Sequence, residues 1–472
     1  MCICEIKKDR QHSGYFFPLW GLAPFIFIIN KNNNIKKYIL LIIYIKMAHN
    51  IRRFSTFIQK NSPLVNLQKD MKPLLGNFGD YILPLTFKKY NTKDVVINAR
   101  KPDFSTIFDV SHMGVFELSV INKDRTIMPL NNTNNYLNYV LEKLFPLNLR
   151  VLKNNKSCLS VILNNKSHVI DDFIVSNINN DRYRFIINGN TKMLFREYIN
   201  IGINNLYKND IHLLNETIIN FEEKCKIILA IQGKGSQKLL EDIFNINLDN
   251  LYFMENTIIN NSQNNNTLVE RDIEISRCGY TGEDGFELYL DIKDGRLLYE
   301  KILNIAKNNS SVQLGGLIER DILRLEAGLC LSGNEFSEDS LIHFNDTNLN
   351  FIIGKRRRKE KGFIGEIYIN EKPSFIRCGF ECSRPIKINE KIYTNYENMY
   401  EKNIGFITSS TKSYNLNKFI GMGYISKEMY DENINNNIFD NNLYMLNNEK
   451  KVNIKIHNLP FIKSNYYIRP KK

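Results

Sequence analysis

The stretch RCGYTGEDGFE at residues 277–287 constrains the fold more than any other part of the chain. Its three glycines, at positions 279, 282 and 285, allow positive φ angles or a close approach of the backbone to a partner. Glu287 then returns the chain to a predicted strand, which would hold its carboxylate rigidly. Because no Gly-Lys-Ser/Thr follows, a phosphate-binding loop is not indicated. From these residues alone, an acidic hairpin turn and a binding site are equally good interpretations.

Patterns typical of strands and of helices alternate on both sides of this stretch. Strands are predicted at residues 116–121, 169–176 and 183–187, and helices at residues 239–244 and 296–307. From about residue 376 onward, strand and turn patterns prevail. The sequence therefore predicts an α+β fold, with two α+β lobes at residues 62–370 and a β-barrel domain at residues 371–472.

Three asparagine-rich patches interrupt these patterns, at residues 131–135, 260–266 and 433–437. Tracts of this kind bury little apolar surface and so gain little from packing. We therefore expect them to form loops at the surface.

Composition excludes several classes of protein. The chain has 472 residues, enough for about three domains, and 43% are hydrophobic, which excludes wholesale disorder. Its eight cysteines include no C-x-x-C pair, so neither a zinc ribbon nor a dithiol redox site is indicated. The net charge is +13, but residues 1–60 alone carry +8. The remainder has an ordinary enzyme surface, and nucleic-acid binding is not predicted.

Residues 1–61 are predicted to be an amino-terminal extension that includes an organelle-targeting presequence. Two apolar runs, residues 15–29 and 38–45, are each shorter than the roughly 20 residues that a membrane-spanning helix needs. A second methionine, Met47, opens the stretch MAHNIRRFSTFIQKNS, which is basic and contains no acid. Translation is therefore expected to begin at Met47, with residues 1–46 outside the expressed protein. A signal anchor is the alternative.

Two further motifs carry polar side chains in or beside predicted strands. In FDVSHMG, residues 108–114, Ser111 and His112 are neighbours that rarely face one another, so a turn is favoured over a nucleophilic site. In VIDDFIV, residues 169–175, consecutive side chains of a strand point to opposite faces. Of Asp171 and Asp172, one is therefore expected to be solvated and the other interior, where its pKa would rise without a partner. A salt-bridged surface pair is the alternative.

The remaining motifs lie toward the carboxyl terminus. LIERDILRLEAGLCL, residues 317–331, predicts an amphipathic helix that ends at Gly328. Its charged residues could simply form ion pairs along the helix. The basic run at residues 355–359 is typical of a solvated face or an anion-binding patch. PFI and NYY follow at residues 460–462 and 465–467.

Taken together, FDVSHMG, VIDDFIV, RCGYTGEDGFE, ERDILRLEAGLCLSGN, GKRRR and PFI…NYY closely resemble the aminomethyltransferases, the T-proteins of the glycine cleavage system, in order and separation. The resemblance runs from about residue 64 to residue 467. It implies a three-domain, clover-like α+β fold, with tetrahydrofolate as co-substrate and no metal. It also implies a mitochondrial matrix location, which agrees with the presequence, and no stable membrane insertion of the mature protein.

The function that the resemblance implies is transfer of an aminomethyl group from the lipoyl arm of H-protein to tetrahydrofolate. The products are 5,10-methylenetetrahydrofolate, ammonia and dihydrolipoyl H-protein, so lipoylated H-protein is the expected partner. A related folate-binding protein of iron–sulfur cluster assembly shares the fold but carries K-G-C-Y-x-G-Q-E, where this chain has RCGYTGED. A non-catalytic member that binds folate or H-protein is the second alternative.

The resemblance also implies roles for particular residues. Asp172 matches the catalytic acid, which would stabilise developing positive charge and relay a proton. Glu287 would accept the two adjacent N–H donors of the pterin, with Arg320 beside it and Tyr466 closing over it. The further folate contacts implied are Met113, Asn188 and Phe351. The residues expected to dock H-protein are Lys355, Arg356, Arg357 and Arg358.

The chain departs from the family pattern at two places. Phe351 stands where relatives usually carry Trp ahead of the basic run, so part of a stacking wall is expected to be smaller. Residues 408–416 read TSSTKSYNL, without the proline of the family pattern, and we expect a different turn there.

Overall fold

The computed structural model describes residues 59–122, 130–179, 182–209, 217–224, 226–260, 270–396, 400–436, 443–447 and 450–470. The predicted presequence, Met47 and both amino-terminal apolar runs lie outside these residues. Among the helices within them, none is long and apolar enough to cross a membrane.

Helices and strands alternate along this part of the chain. The helices are α1 (Thr92–Asn98), α2 (Leu130–Leu144), α3 (Lys192–Asn209), α4 (Ser236–Phe244), α5 (Ile292–Asn308), α6 (Leu317–Glu326), α7 (Lys355–Glu360) and α8 (Lys427–Asn436). The first strands are β1 (Lys60–Asn61), β2 (Pro73–Phe78), β3 (Tyr81–Phe87), β4 (Ser105–Asp109), β5 (Gly114–Asn122), β6 (Lys156–Leu163), β7 (Val169–Asn179), β8 (Arg182–Ile187), β9 (Thr217–Glu223), β10 (Ile227–Gln232) and β11 (Glu255–Ile259). The others are β12 (Ile273–Arg277), β13 (Gly285–Leu290), β14 (Val312–Leu314), β15 (Phe375–Cys382), β16 (Lys391–Tyr396), β17 (Tyr400–Ser413), β18 (Lys418–Ser426), β19 (Leu443–Asn447), β20 (Lys450–Asn453) and β21 (Lys455–His457).

The largest sheet has the strand order β14-β4-β10-β13-β12-β11-β6-β7-β8-β5-β9. Its pairs are antiparallel except for β14 with β4. Every residue of β10 and of β13 is buried, because helices and loops cover both faces of the sheet there. The stretch at residues 277–287 joins the neighbouring strands β12 and β13, so its loop lies at the edge of this buried region.

The strands and helices predicted from the sequence are confirmed. The three predicted strands correspond to β5, β7 and β8, and the two predicted helices to α4 and α5. In α5, Leu298, Ile302 and Leu303 recur on one face and are buried against β10 and its neighbours. The helix begins at the N-cap Asp291, whose carboxylate accepts a hydrogen bond from the backbone of Asp294.

A second sheet, of seven described strands, forms the carboxyl-terminal part. Its order is β20-β19-β16-β17-β18-β15-β21, and its pairs are antiparallel. Alternate residues face a separate hydrophobic core, which includes Phe380, Ile392, Ile407 and Ile425. This part of the chain contains one described helix, α8, packed on β15 and β18.

The prediction of a loop at residues 131–135 is wrong, because this asparagine-rich patch lies within α2. Asparagine disfavours a helix by only about 0.7 kcal/mol per residue at most. The buried face of the same helix outweighs this cost, with Leu137, Val140, Leu141 and Leu144 at helical spacing. Residues 433–436 likewise lie in α8, whereas residues 261–266 and 437 lie outside the described part of the chain.

The helix α6 joins the two sheets through buried polar contacts. Its Arg324 donates to the hydroxyl of Ser409 at 2.9 Å. Its last residue, Glu326, accepts a hydrogen bond of 2.6 Å from the hydroxyl of Ser413, which also accepts from the backbone of Leu416. The hydroxyl of Ser413 therefore stabilises the turn at residues 413–416, within the segment that lacks the proline of the family pattern. The small apolar cluster beside these contacts consists of Leu325, Ile420, Met422 and Phe461.

Candidate functional site

The glycines of residues 277–287 are required by close packing and by backbone geometry. A Cβ at Gly279 would lie 1.8 Å from Oε1 of Gln232, so the buried amide of Gln232 would have to move. Gly282 has φ of +78°, a left-handed value that other residues adopt only at a cost. The loop is held at its base by Arg277, which pairs with the carboxylate of Asp284 at 2.5 Å. The loop that follows β12 is therefore rigidly placed.

Glu287 lies in β13 with its side chain in the interior. Its carboxylate is buried, accepts a hydrogen bond of 3.3 Å from the hydroxyl of Tyr289, and lies 4.0 Å from Nη2 of Arg320. Arg320 extends from α6 and is also buried, yet its Nη1 has no hydrogen-bond partner among the residues that the structure describes. A buried donor without a partner is costly, so this pair of opposite charges is prepared for a polar ligand.

Tyr280 links this ion pair to the neighbouring carboxylates. The guanidinium of Arg320 lies 4.9 Å from the centroid of its ring, a cation–π contact. The Tyr280 hydroxyl donates to the backbone carbonyl of Cys330. Burial raises the pKa of Tyr280 well above 10, and the negative charges of Asp172 and Glu335 contribute. Tyr280 therefore interacts with Arg320 through its ring and with Asp172 through the charge of that carboxylate.

Asp171 and Asp172 both lie in β7, and the prediction that one of them would be solvated is wrong. Asp171 is completely buried, and Asp172 is partly buried. Both faces of β7 are at least partly covered at this point, so neither carboxylate is fully solvated. The surface ion pair is not observed either, because no cation pairs with either carboxylate in the part of the chain that the structure describes.

The pKa of Asp172 is raised to about 7, chiefly by burial and then by the negative charge of Asp171. A hydrogen bond from Asn188 opposes this shift, and the charge of Glu335 adds to it. Asn188 follows β8, and its Nδ2 lies 3.1 Å from Oδ1 of Asp172. A carboxyl group with a pKa close to the working pH can both accept and release a proton.

Ser111 and His112 form a turn, as predicted, and not a nucleophilic site. The backbone and hydroxyl of Ser111 donate to the Asp109 carboxylate at 3.1 and 2.6 Å, and the hydroxyl accepts from the backbone of Ile228. His112 is buried edge-on to Phe78, and burial followed by the charge of Arg320 lowers its pKa to about 3. The turn places Met113 at the edge of the apolar cluster that contains Leu323 of α6.

The carboxyl-terminal tail lies against residues 277–287. The amide of Asn465 donates to both carboxylate oxygens of Glu283 at 3.1 and 3.0 Å, and the two residues form a parallel β-bridge. The ring of Tyr466 stacks on Phe253, with 4.0 Å between centroids and 14° between planes. Burial raises the pKa of Tyr466. The structure thus brings the tail to the loop between β12 and β13, directly before the strand that contains Glu287.

Phe351 and the basic run lie on a different part of the molecule. Phe351 is 75% exposed, and its neighbours Leu349 and Ile353 belong to another core cluster. Arg357 is buried and donates to the carbonyl of Glu142, while Lys355 is exposed. Arg356 also binds Glu142, and Arg358 donates to the carbonyls of Ile353 and Ile369. The three arginines therefore attach α7 to the rest of the fold.

Sequence reasoning assigned no role to two residues of this site, Tyr280 and Glu335. Tyr280 lies inside the glycine-rich stretch, so its place in the motif was a usable signal. Glu335 gave no such signal, because it follows α6 in an irregular segment. It is completely buried, pairs with Arg324 at 2.9 Å, and accepts hydrogen bonds from Thr408 and Ser409 at 2.8 and 2.5 Å.

The described residues contain no group of three or more His, Cys, Asp or Glu side chains that could hold a metal ion. This region contains two opposed charged groups, an aromatic ring and a pair of adjacent carboxylates.

Two known domains match the chain. Residues 135–357 match the GCVT N-terminal domain, and residues 377–463 match the glycine cleavage T-protein C-terminal barrel domain. These matches and the two sheets define an α+β protein with a carboxyl-terminal barrel, as predicted.

Individual relatives give the same result. The mitochondrial aminomethyltransferase of Dictyostelium discoideum is 32% identical over 337 residues, which cover 70% of this chain and 76% of that protein. That of Pisum sativum is 30% identical over 369 residues, covering 75% and 79%. The crystal structure of glycine cleavage system aminomethyltransferase T from Bartonella henselae has a TM-score of 0.69 at 25% identity, and covers 86% of this chain and 99% of that one. The chain belongs to the aminomethyltransferase family, the T-proteins of the glycine cleavage system.

Proposed function

We propose that this protein transfers the aminomethyl group of lipoylated H-protein to tetrahydrofolate, yielding 5,10-methylenetetrahydrofolate, ammonia and dihydrolipoyl H-protein. Membership of the aminomethyltransferase family supports this function. The observation that carries it is the partly buried carboxyl of Asp172, with a pKa near 7, together with the Glu287–Arg320 pair, since Tyr280 interacts with both Arg320 and Asp172. Both a binding pair and a proton-exchanging group are thus available in one region.

The residues present fit a pterin. The carboxylate of Glu287 accepts a long hydrogen bond from Tyr289, is also hydrogen-bonded by the thiol of Cys278, and lies 4.0 Å from a guanidinium. These contacts are weak, so its oxygens can accept two adjacent N–H donors. The Nη1 of Arg320 has a buried N–H group to donate to a ring acceptor. Glu287 and Arg320 would therefore hold the ring edge and exclude water from it. Tetrahydrofolate, when bound, supplies the nucleophilic nitrogen that accepts the one-carbon unit.

Asp172 would have two roles, to stabilise positive charge and to exchange a proton. Its carboxylate stabilises positive charge that develops beside it, since the surrounding interior has a low dielectric constant. With a pKa near 7, the same oxygen can take up a proton from a neighbouring nitrogen and release it later. Asn188 orients this carboxylate through its hydrogen bond.

The remaining predicted contacts stay proposals. Met113 would offer an apolar surface to the pterin, and Tyr466 would limit access from the side of the carboxyl-terminal tail. Phe351, at 75% exposure, would contact only a part of the ligand that reaches the surface. The domain division at residues 370 and 371 is likewise retained as a proposal.

Residues 355–358 are proposed to help dock H-protein. Because Arg356, Arg357 and Arg358 also attach α7 to the fold, substituting them would disturb the structure. Lys355 is exposed, and Lys355→Ala is expected to raise the KM for H-protein without changing kcat. The exposed Lys307 of α5 is a matched control. An equal effect of Lys307→Ala, or none from Lys355→Ala, would argue against this docking site.

A mitochondrial matrix location is also proposed. Relatives from plants and from Dictyostelium discoideum are named mitochondrial, and residues 47–61 have the composition of a presequence. Fusing residues 47–61 to a fluorescent protein tests import, with Arg52→Glu and Arg53→Glu together as the control that should abolish it.

The decisive experiment is formation of 5,10-methylenetetrahydrofolate by the purified protein, given aminomethylated H-protein and tetrahydrofolate. Formation of the product and release of ammonia in equal amounts is the expected result. Binding of tetrahydrofolate without turnover would identify a non-catalytic member instead. Absence of both would overturn the proposal.

A further inference from the structure

Asp171 and Asp172 share one hydrogen-bond donor. The Nδ2 of Asn188 lies 2.8 Å from Oδ1 of Asp171, and 3.1 Å from both Oδ1 and the carbonyl oxygen of Asp172. An amide NH2 group has two hydrogens, so three acceptors compete for them. The position of Asn188, and with it the hydrogen bond to Asp172, therefore depends on Asp171.

Asp171 is itself fixed in place. It is completely buried, and its second carboxylate oxygen accepts a hydrogen bond from the hydroxyl of Thr191, in the turn that precedes α3. The hydroxyl of Ser332 also donates to it. These bonds oppose the effect of burial, which raises the pKa of Asp171. The carboxylate thus lies among three neutral donors from two segments of the chain, the turn at residues 188–191 and Ser332.

The groups that face Asp172 are mostly acidic or neutral. Asp171 on the same strand and Glu335 from the segment after α6 bring negative charge. Tyr280 and Cys330 contribute a hydroxyl and a thiol, and burial keeps both protonated at neutral pH. Arg324 forms an ion pair with Glu335, so its positive charge is balanced by a carboxylate other than that of Asp172. Asp171 is the acid nearest in sequence and the one that shares the donor.

We propose that Asp171 is a positioning residue, which fixes Asn188 against Asp172 and, through its negative charge, sets the pH at which Asp172 exchanges its proton. This inference rests on the proposed function, because it assumes that Asp172 is the group that exchanges the proton. Asp171 need not touch either substrate. It acts through Asn188 and through the electric field at Asp172.

The test is the isosteric variant Asp171→Asn. Loss of the negative charge lets Asp172 ionise more easily, so the acid limb of the pH–kcat profile is expected to move to lower pH by about one unit or more. Asp171→Glu restores the charge but moves the carboxylate, so it should return the midpoint toward the wild-type value, with a kcat below that of wild type. The buried Asp294 of α5 supplies the control Asp294→Asn, which should leave the profile unchanged.

A second measurement does not depend on activity. The carboxyl carbons of 13C-labelled aspartates report each titration by NMR, and the signal lost in Asp172→Asn identifies Asp172. Coupling between two sites is reciprocal, so Asp172→Asn should also lower the titration midpoint of Asp171. This holds even where Asp171→Asn does not fold.

The outcomes separate the inference from the proposed function. Unchanged titration of Asp172 in folded Asp171→Asn, or of Asp171 in Asp172→Asn, would overturn the positioning role. Coupled titration in a protein that forms no methylenetetrahydrofolate would support the coupling but remove the catalytic assignment. Shifts in both the profile and the NMR titration are the expected result.

Discussion

At the scale of single residues, the chemistry of this protein depends on a carboxyl group that is covered by the fold without forming an ion pair. Asp172 lies in a covered sheet with one shared amide donor, and a second acid stands next to it in the chain. An exposed aspartate has a pKa near 3.9, so a value near 7 needs this combination of desolvation and like charge.

The first prediction concerns turnover. Asp172→Asn keeps the shape of the side chain but can neither carry the charge nor exchange the proton. We expect kcat to fall by about 10²-fold or more, with the circular dichroism spectrum unchanged. Near-normal turnover would rule out Asp172 as the catalytic acid.

The second prediction concerns stability and pH. The folded protein holds a proton at Asp172 up to a pH near 7, whereas the unfolded chain releases it near pH 4. Stability from this group is therefore lost as the pH rises from about 4 to about 7. In urea unfolding, the free energy of unfolding of Asp172→Asn should rise relative to that of wild type by on the order of 1 kcal/mol as the pH increases from 5 to 8. A constant difference across this range would contradict the raised pKa.

The third prediction concerns folate binding. Glu287→Gln removes a charge-assisted acceptor and places an amide donor against the donors of the pterin. The Kd for tetrahydrofolate, measured by calorimetry, should rise by about 10- to 100-fold. Glu300→Gln on the exposed side of α5 is the control and should bind normally. Equal affinities for both variants would exclude Glu287 from the site.

At the scale of elements, α6 connects the binding pair to the carboxyl-terminal sheet. Arg320 faces Glu287, while Arg324 and Glu326, one turn further, face β17. Movement of the carboxyl-terminal sheet would therefore be transmitted to Arg320 through a single rigid helix.

The fourth prediction tests this connection with two partners of Arg324. Glu335 is completely buried, so Glu335→Ala removes the buried carboxylate that pairs with Arg324, at a cost of about 3–5 kcal/mol. The side chain of Asp321 is 43% exposed, and Asp321→Ala should cost less than about 1 kcal/mol. Urea unfolding measures both. Similar losses for the two variants would mean that Arg324 does not depend on its buried partner.

At the scale of the whole molecule, the residues of the site come from distant parts of the chain. Asp172 lies in β7, Glu287 in β13, Arg320 in α6 and Tyr466 in the tail. The tail reaches the site because Asn465 binds Glu283, which itself pairs with Arg100 at 2.8 Å. Contacts of this range exist only after both sheets have formed and packed.

Many of the helices and strands, and the family, could be predicted from residue patterns and their order in the sequence. The strand at residues 169–176 and the helix at residues 296–307 follow from local periodicity, which depends on near neighbours alone. The family followed from six motifs in the right succession. The loop prediction for residues 131–135 rested on composition and failed, because the buried face of α2, which packs on α3 and β5, outweighs the weak helix preference of asparagine.

The order of residues therefore specified the elements, the family and the chemical types present at the site. It did not specify that Asp171 is more deeply buried than Asp172, or that the charge of Glu335 acts on Asp172. Nor did it specify that most side chains of the basic run form hydrogen bonds within the protein. Those properties depend on which distant segments cover each face of a strand or helix. Desolvation and charge act through space, so they are set by packing and not by sequence separation.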